Sequence, residues 1–333
     1  MIATGGRVDG GQAAAVVDVD RLSRHFQRPR SWLDRLANRA TGPALRAVDE
    51  VSFAIPAGKT FALVGESGCG KSTLARTLVG LYRPTAGTVR YGGSGLHRQP
   101  VRGQVQMIFQ DPFSSLDPRW RAAEIIAEPI RALRLRPADA VAARVDELLT
   151  LVGLSPEDAR KYPHQFSGGQ RQRISIARAL AGEPRFLVCD EPTSALDVSV
   201  QAQILNLLRD LQVRLGLTYL FISHNLAVVR HVADEVGVMY LGRIVERAET
   251  RALFEHPRHP YTRMLLASVP DLGRRGAPRE RAAGEVASLR NAPTGCAFHP
   301  RCRQATERCR SERPEARPAA DAPDTVVACH LVD

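Results

Sequence analysis

Nine consecutive residues carry the plainest chemistry in this chain: Gly65-Glu66-Ser67-Gly68-Cys69-Gly70-Lys71-Ser72-Thr73. They fit the pattern G-x-x-x-x-G-K-[ST]. They also follow a strand-like stretch and open a helical one, the context the pattern requires. Glycines let backbone N–H groups turn inward around phosphate oxygens, and a helix N-terminus adds positive potential. Lys71 reaches the β- and γ-phosphates, and the Ser72 hydroxyl ligates Mg²⁺. The bland alternative is a chance glycine turn. Lysine occurs at only three positions, Lys59, Lys71 and Lys161, so its placement in this frame argues against chance. Cys69 is expected to contribute only its backbone.

Two further places could act on a nucleotide. Phe186-Leu187-Val188-Cys189 is an apolar strand ending in Asp190 and Glu191. Two acids at a strand end are often only a helix cap. After a phosphate loop they gain another reading: Asp190 holds Mg²⁺, directly or through water, and Glu191 polarises the attacking water as a general base. Cys189 reads as a core thiol. Phe166-Ser167-Gly168-Gly169-Gln170 precedes a helix over 170–182. Ser167 is a natural N-cap, and the two glycines expose the amides beyond it. That makes a second anion site, and one chain cannot easily bring both sites to one nucleotide.

The elements that must position these residues follow from the pattern. Strands are expected from Val16 to near Phe26, over Val51–Ile55, Thr60–Val64, Arg185–Cys189 and Tyr219–Ile222. A helix is expected over Ser72–Leu81 and a turn over Arg83–Gly87. Residues 119–160 have helical periodicity, with Val145, Leu148, Leu149 and Val152 on one face and breaks at Pro129 and Pro137. Residues 27–45 are Arg-rich and read as an inserted loop or short helix, with Trp32 and Leu33 as anchors. Strands alternating with helices imply a parallel sheet covered on both faces. From about residue 255 proline, arginine and cysteine rise and periodicity fades, which reads as a small loop-rich unit.

Composition narrows the class. Hydrophobic content of 44% in 333 residues suits a globular protein with a full core. No apolar run approaches the ~18 residues of a membrane-spanning helix, and the N-terminus lacks the charged start and apolar core of a secretory leader. The net charge of +11 is carried almost wholly by arginine spread along the chain. That favours a solvated basic surface over a nucleic-acid groove. Of six cysteines, Cys296, Cys302, Cys309 and Cys329 crowd the end, with 5, 6 and 19 residues between them. In a reducing compartment such a set suggests metal before disulfides. An iron–sulfur cluster, zinc and free thiols all stay open on spacing, and His299 and His330 are conceivable substitute ligands.

The run Phe166 to Gln170 resembles the signature loop of ABC ATPases. In that family two nucleotide-binding domains meet head to tail, and the signature loop of one covers the ATP held by the phosphate loop of the other. Other residues match in order. Gln110, in Val105–Pro112, resembles the glutamine that senses Mg²⁺ and links the site to a membrane partner. Ser194-Ala195-Leu196-Asp197 resembles the loop crossing the dimer interface, and His224 the switch histidine at the γ-phosphate. Phe26 resembles the aromatic that stacks on adenine, a core role being the alternative. The resemblance spans about residues 16–250 and departs from no catalytic motif. It implies an α/β P-loop domain over 16–254 with a parallel core sheet, antiparallel N-terminal strands and a helical subdomain at about 111–180. A flexible stretch over 1–15 precedes it, and a small Cys-rich unit over 255–333 follows. It also implies ATP and Mg²⁺ as ligands, with hydrolysis rather than binding alone.

His256 to Leu265 and Gly295 to Cys302 are similar to stretches of ATPase subunits from oligopeptide and dipeptide importers, and the segment between Phe26 and Ala47 resembles the "F" subunit of such pairs. That resemblance implies a [4Fe–4S] cluster on the four cysteines. It also implies two membrane permeases, a second ATPase subunit, an external substrate-binding protein, and a place on the cytoplasmic face of the membrane. Related importers carry nickel, glutathione or sugars, so cargo stays open. A soluble ABC ATPase working on ribosomes or DNA would explain the charge, but the chain has one such domain and no sustained heptads. A subunit that binds ATP without turnover is opposed by the intact Glu191.

Overall fold

The computed structural model describes residues 15–27, 44–92, 103–268 and 288–332. The expected flexible N-terminus, except Ala15, and most of the 27–45 segment, including Trp32 and Leu33, lie outside the described residues. Strand β1 (Ala15–Phe26) alternates, burying Val17, Val19 and Leu22, and pairs antiparallel with β2 (Leu45–Pro56). Strand β3 (Thr60–Val64) is buried at every residue, as a strand covered on both faces must be. Helix α1 (Lys71–Leu78) follows the phosphate loop directly. The chain then returns along β1 as β4 (Ala86–Tyr91), so the expected turn at Arg83–Gly87 runs into a strand. These strands form a three-stranded sheet in the order β2-β1-β4. It is tied to the main core where Phe53 stacks on Phe61 at 4.6 Å.

After β5 (Val105–Ile108) come only helices up to Leu180: α2 (Pro112–Ser115), α3 (Ala122–Ala132), α4 (Val141–Leu151) and α5 (Gly168–Leu180), joined by short 3₁₀ turns. Pro137 ends one segment as expected, but α3 runs through Pro129. Its ring removes one helical hydrogen bond near the helix end, and it is buried beside Ile125, Ile126 and Ile130, which offsets the loss. Val145, Leu148, Leu149 and Val152 are buried together, matching the periodicity.

The remaining elements are β6 (Phe186–Asp190), α6 (Val198–Leu215), β7 (Thr218–Ile222), α7 (Leu226–Val232), β8 (Glu235–Tyr240), β9 (Arg243–Glu249), α8 (Thr250–Glu255), α9 (Pro260–Ala267), α10 (Glu307–Ser311), β10 (Arg317–Ala319) and β11 (Ala322–Val327). Among the described residues the main sheet has eight strands in the order β10-β11-β9-β8-β3-β7-β6-β5. The strands from β5 to β8 run parallel, and the far edge is antiparallel. Among the described residues no helix is long and apolar enough to cross a membrane.

The tail departs from the expectation of a separate small unit. Its strand β11 pairs with β9 (Val326↔Arg247, Val327↔Glu246), so it extends the main sheet. Phe298 joins the core of Tyr240 and Tyr261, with ring centroids 5.4 Å from each. A short segment without enough apolar residues of its own borrows the parent core. Phe298→Ala is therefore expected to cost about 3–5 kcal/mol in urea unfolding. A midpoint change worth less than about 1 kcal/mol would contradict the shared core.

Candidate functional site

The phosphate loop is shaped by close approach on two sides. Gly70 has φ 114°, and a Cβ there would lie 2.1 Å from the Ala47 carbonyl oxygen on β2. A Cβ on Gly65 would lie 2.2 Å from the Met239 carbonyl oxygen on β8. Only glycine fits between these backbones. The Gly242 amide donates to Cys69 O at 2.8 Å, pinning the loop from behind. The Lys71 ammonium is buried and donates to Gly65 O at 2.6 Å and Glu66 O at 2.9 Å. Cys69 faces the core, and burial pushes its thiol up, in keeping with a backbone-only role. Thr73 follows Ser72 in the first turn of α1, and its carbonyl accepts from the Thr77 hydroxyl at 2.8 Å.

Beside the loop, the end of β6 delivers both acidic residues. Ser72 Oγ donates to Asp190 Oδ1 at 3.1 Å. Burial raises the Asp190 carboxyl, the Ser72 hydrogen bond lowers it and the Glu191 charge raises it again. Glu191 Oε2 accepts from Gln110 Nε2 at 3.2 Å and lies 3.1 Å from His224 Nδ1. Glu191 also has φ 48°, a conformation that costs a non-glycine residue and clusters at working sites. The Ser194 amide and hydroxyl both donate to the Glu191 carbonyl, at 3.2 and 3.1 Å. The structure thus brings Lys71, Ser72, Gln110, Asp190, Glu191 and His224 to one end of the sheet. Ser72 and Asp190, with Gln110 nearby, present the hard oxygen donors that suit Mg²⁺.

The second anion site stands apart. Ser167 Oγ accepts from the Gln170 amide at 3.3 Å, and Gln170 Oε1 accepts from the Ser167 amide at 3.0 Å, a reciprocal capping box. Gly168 and Gly169 lie against Leu196 and Val200, and a Cβ on Gly169 would come 2.5 Å from Val200 Cγ1. Among the described residues, no hydrogen bond or ion pair joins this loop to Gly65–Thr73. Asp197 caps α6 next to it, taking Gln201 N–H at 2.7 Å on its carbonyl. Phe26 ends β1, half-buried, with Arg24 stacked at 4.5 Å and an edge contact to Tyr82. It stands outside the main core clusters.

The cysteine tail brings its thiols near one another without showing a metal site among the described residues. Cys296, Cys302, Cys309 and Cys329 converge closely enough to act on one another electrostatically, and burial first and then the other three push Cys296 up to about 11. Yet among the described residues no group of three or more His, Cys, Asp or Glu is set to hold a metal ion. A single zinc would need its sulfurs within ~2.3 Å of one point. The histidines are engaged elsewhere: His299 Nδ1 with Cys296 O and His330 Nε2 with Glu312 O, both at 2.9 Å.

Sequence reasoning passed over several residues. Glu246 is wholly buried on β9 and accepts from the Arg258 and His259 amides, each at 2.8 Å. Burial raises its carboxyl. His259 Nδ1 accepts the Tyr261 amide at 3.0 Å, and burial pushes its pKa down to about 3. The run His256 to Leu265 is thus a helix start held by an inward-facing carboxylate. A single Glu in an alternating strand gives no sign of this. Nor was the exposure of Phe109, just before Gln110, and of Phe113 and Trp120 after it foreseen.

Comparison with known proteins adds the following. A family model described as ABC transporter matches residues 48–194, and one described as the oligopeptide/dipeptide transporter C-terminal region matches 245–309. The chain is 50% identical to the oligopeptide transport ATP-binding protein AppF of Bacillus subtilis, over 86% of this chain and 90% of that one. It is 51% identical to a putative peptide import ATP-binding protein of Brucella abortus, over 95% and 94%. To the di/tripeptide transport ATP-binding protein DppF of Pseudomonas aeruginosa it is 48% identical, over 93% and 95%. Among solved structures, cbiO1 of Clostridium perfringens, part of an ABC transporter complex, has a TM-score of 0.60 at 26% identity, over 73% of this chain and 92% of that one. An ATP-binding cassette dimer in a post-hydrolysis state with ADP and Pi has a TM-score of 0.59 at 26% identity, over 71% and 99%.

The geometry of the loop makes a prediction. Gly70→Ala is expected to weaken nucleotide binding by about tenfold or more, the equivalent of ~1.4 kcal/mol, in a calorimetric titration. Unchanged affinity in a folded variant would contradict the two-sided constraint.

Proposed function

Since this chain belongs to the oligopeptide/dipeptide family of ABC transporter ATP-binding proteins, we propose that it hydrolyses ATP to drive import of di- and oligopeptides, with Glu191 as its general base. The observation that carries this reading is the Glu191 carboxylate held between Gln110 and His224, beside the phosphate loop. Residues 65–73 bind the phosphates, and Lys71 exchanges its two loop carbonyls for β- and γ-phosphate oxygens. Ser72, Asp190 and Gln110 would hold Mg²⁺, which would supply charge neutralisation at those phosphates. Glu191 takes a proton from the water whose oxygen attacks the γ-phosphorus. The bond from γ-phosphorus to the β,γ-bridging oxygen breaks, and ADP leaves with that electron pair. His224 steadies the γ-phosphate, and Phe26 stacks on the adenine base.

One chain is incomplete for this task. Ser167, Gly168, Gly169 and Gln170, with Asp197, face a nucleotide held by a companion ATPase subunit, which we take to be a different chain. Two permeases dock where Gln110 is followed by the exposed Phe113 and Trp120, and an extracytoplasmic binding protein delivers cargo to them. The assembly places this chain on the cytoplasmic face of the membrane. Relatives named for peptide import support peptides over nickel, glutathione or sugars, and an importer over an ATPase acting on ribosomes or DNA.

The four tail cysteines are proposed as ligands of a [4Fe–4S] cluster, a group held by four cysteine thiolates. Iron and sulfide content of anaerobically purified chain tests this: four of each per chain support it, while zinc or no metal overturns it. For the hydrolytic site, Glu191→Gln is expected to keep ATP affinity and lower turnover by about 10²–10⁴-fold. Turnover at the wild-type rate would remove Glu191 as the base.

A further inference from the structure

The phosphate loop contains a carboxylate that its motif does not ask for. Position 66 is one of the free positions in G-x-x-x-x-G-K-[ST], yet Glu66 is engaged at three points. Its carboxylate takes two hydrogen bonds from Arg301, Nη1 to Oε2 at 2.7 Å and Nη2 to Oε1 at 2.9 Å. Its amide donates to the Tyr261 hydroxyl at 2.9 Å. Its carbonyl accepts from Lys71 Nζ at 2.9 Å. Arg301 and Tyr261 both come from the C-terminal part of the chain, and Lys71 is the phosphate-binding lysine.

The Arg301 side chain is only 4% exposed, against 24% for Glu66. A planar guanidinium that bridges both carboxylate oxygens fixes orientation as well as charge. Arg301 ends a one-turn segment, His299–Arg301, between Cys296 and Cys302. That turn is closed by the Arg301 amide on Phe298 O at 3.0 Å and tied down by the Cys296 amide on Cys309 O at 2.8 Å. A cavity of about 290 Å³ is walled on one side by Glu66, Ser67 and Gly68 and on another by Ser288, Leu289 and Arg290. Loop and tail therefore share one solvent space.

We propose that Arg301 is a positioning residue of the nucleotide site. Through Glu66 it holds the phosphate loop in its binding shape and neutralises a carboxylate that would otherwise oppose the triphosphate. The proposal rests on reading residues 65–73 as the ATP site. It makes ATP affinity answer to the docking of the cysteine-flanked tail, since the turn that carries Arg301 lies between Cys296 and Cys302. A free carboxylate on a loop that cradles a polyanion is repulsive at short range, and the repulsion acts on binding more than on the later chemical step.

The test uses the full chain, with ATP affinity by calorimetry and steady-state hydrolysis in the presence of its companion subunit. Arg301→Ala is expected to raise the ATP Kd about tenfold or more, with turnover at saturating ATP changing by less than about threefold. Adding Glu66→Gln removes the unneutralised charge but not the loss of the two-point tether, and is expected to recover part of the lost affinity, a non-additive result for two coupled residues. Arg301→Lys keeps the charge but not the two-point contact, and is expected to weaken binding less than alanine. It serves as the test if the alanine chain does not fold. Wild-type Kd in Arg301→Ala or in Arg301→Lys would overturn the proposal, as would a double variant that binds as weakly as Arg301→Ala. Failure of the wild-type chain itself to bind ATP would instead overturn the assignment of the loop.

Discussion

Everything at the nucleotide site depends on a loop confined between two backbones. The carbonyls of Ala47 and Met239 approach Gly70 and Gly65 so closely that no side chain fits. That confinement sets where α1 begins, and hence where Lys71 and Ser72 stand. It also explains why the antiparallel sheet belongs to the site. Strand β2 supplies Ala47, and Phe53 on the same strand stacks on Phe61 of β3. The chain spends glycine entropy here to gain amides that converge on an anion.

The carboxylates use a different device. Strands β3, β7 and β6 are neighbours and parallel, so their C-terminal ends open at one edge, the usual place for ligands in such sheets. Ser72, Asp190, Glu191 and His224 meet there although they are far apart in the chain. The capping-box loop at Ser167 starts α5 elsewhere, against Leu196 and Val200. A site with donors in two separate places suits two copies of the fold arranged head to tail, each completing the other.

Much of this was legible in the sequence because the signals are local. The phosphate loop, the acids after β6, the Ser167 cap and the buried strands each announce themselves within a few residues. What stayed hidden depends on partners far along the chain. Pro129 reads as a break, but burial beside Ile125 and Ile130 keeps it helical. The tail reads as a separate unit, but β11 needs the open edge of β9 and Phe298 needs Tyr240 and Tyr261. Glu246 and Arg301 look like ordinary charges until folding buries them opposite two amides and a carboxylate. The clustering of four cysteines was legible too. Their lack of single-ion geometry among the described residues was not, because spacing along a loop-rich segment does not determine the distance between sulfurs.

The central claim is that this chain holds ATP in a site completed by a second ATPase subunit. Sedimentation velocity on the Glu191→Gln chain, alone and mixed with its companion subunit, tests it most directly. The account predicts one-chain mass without nucleotide and a two-chain species with Mg–ATP in at least one of the two samples. One-chain mass in both samples, with ATP shown to be bound, would contradict it.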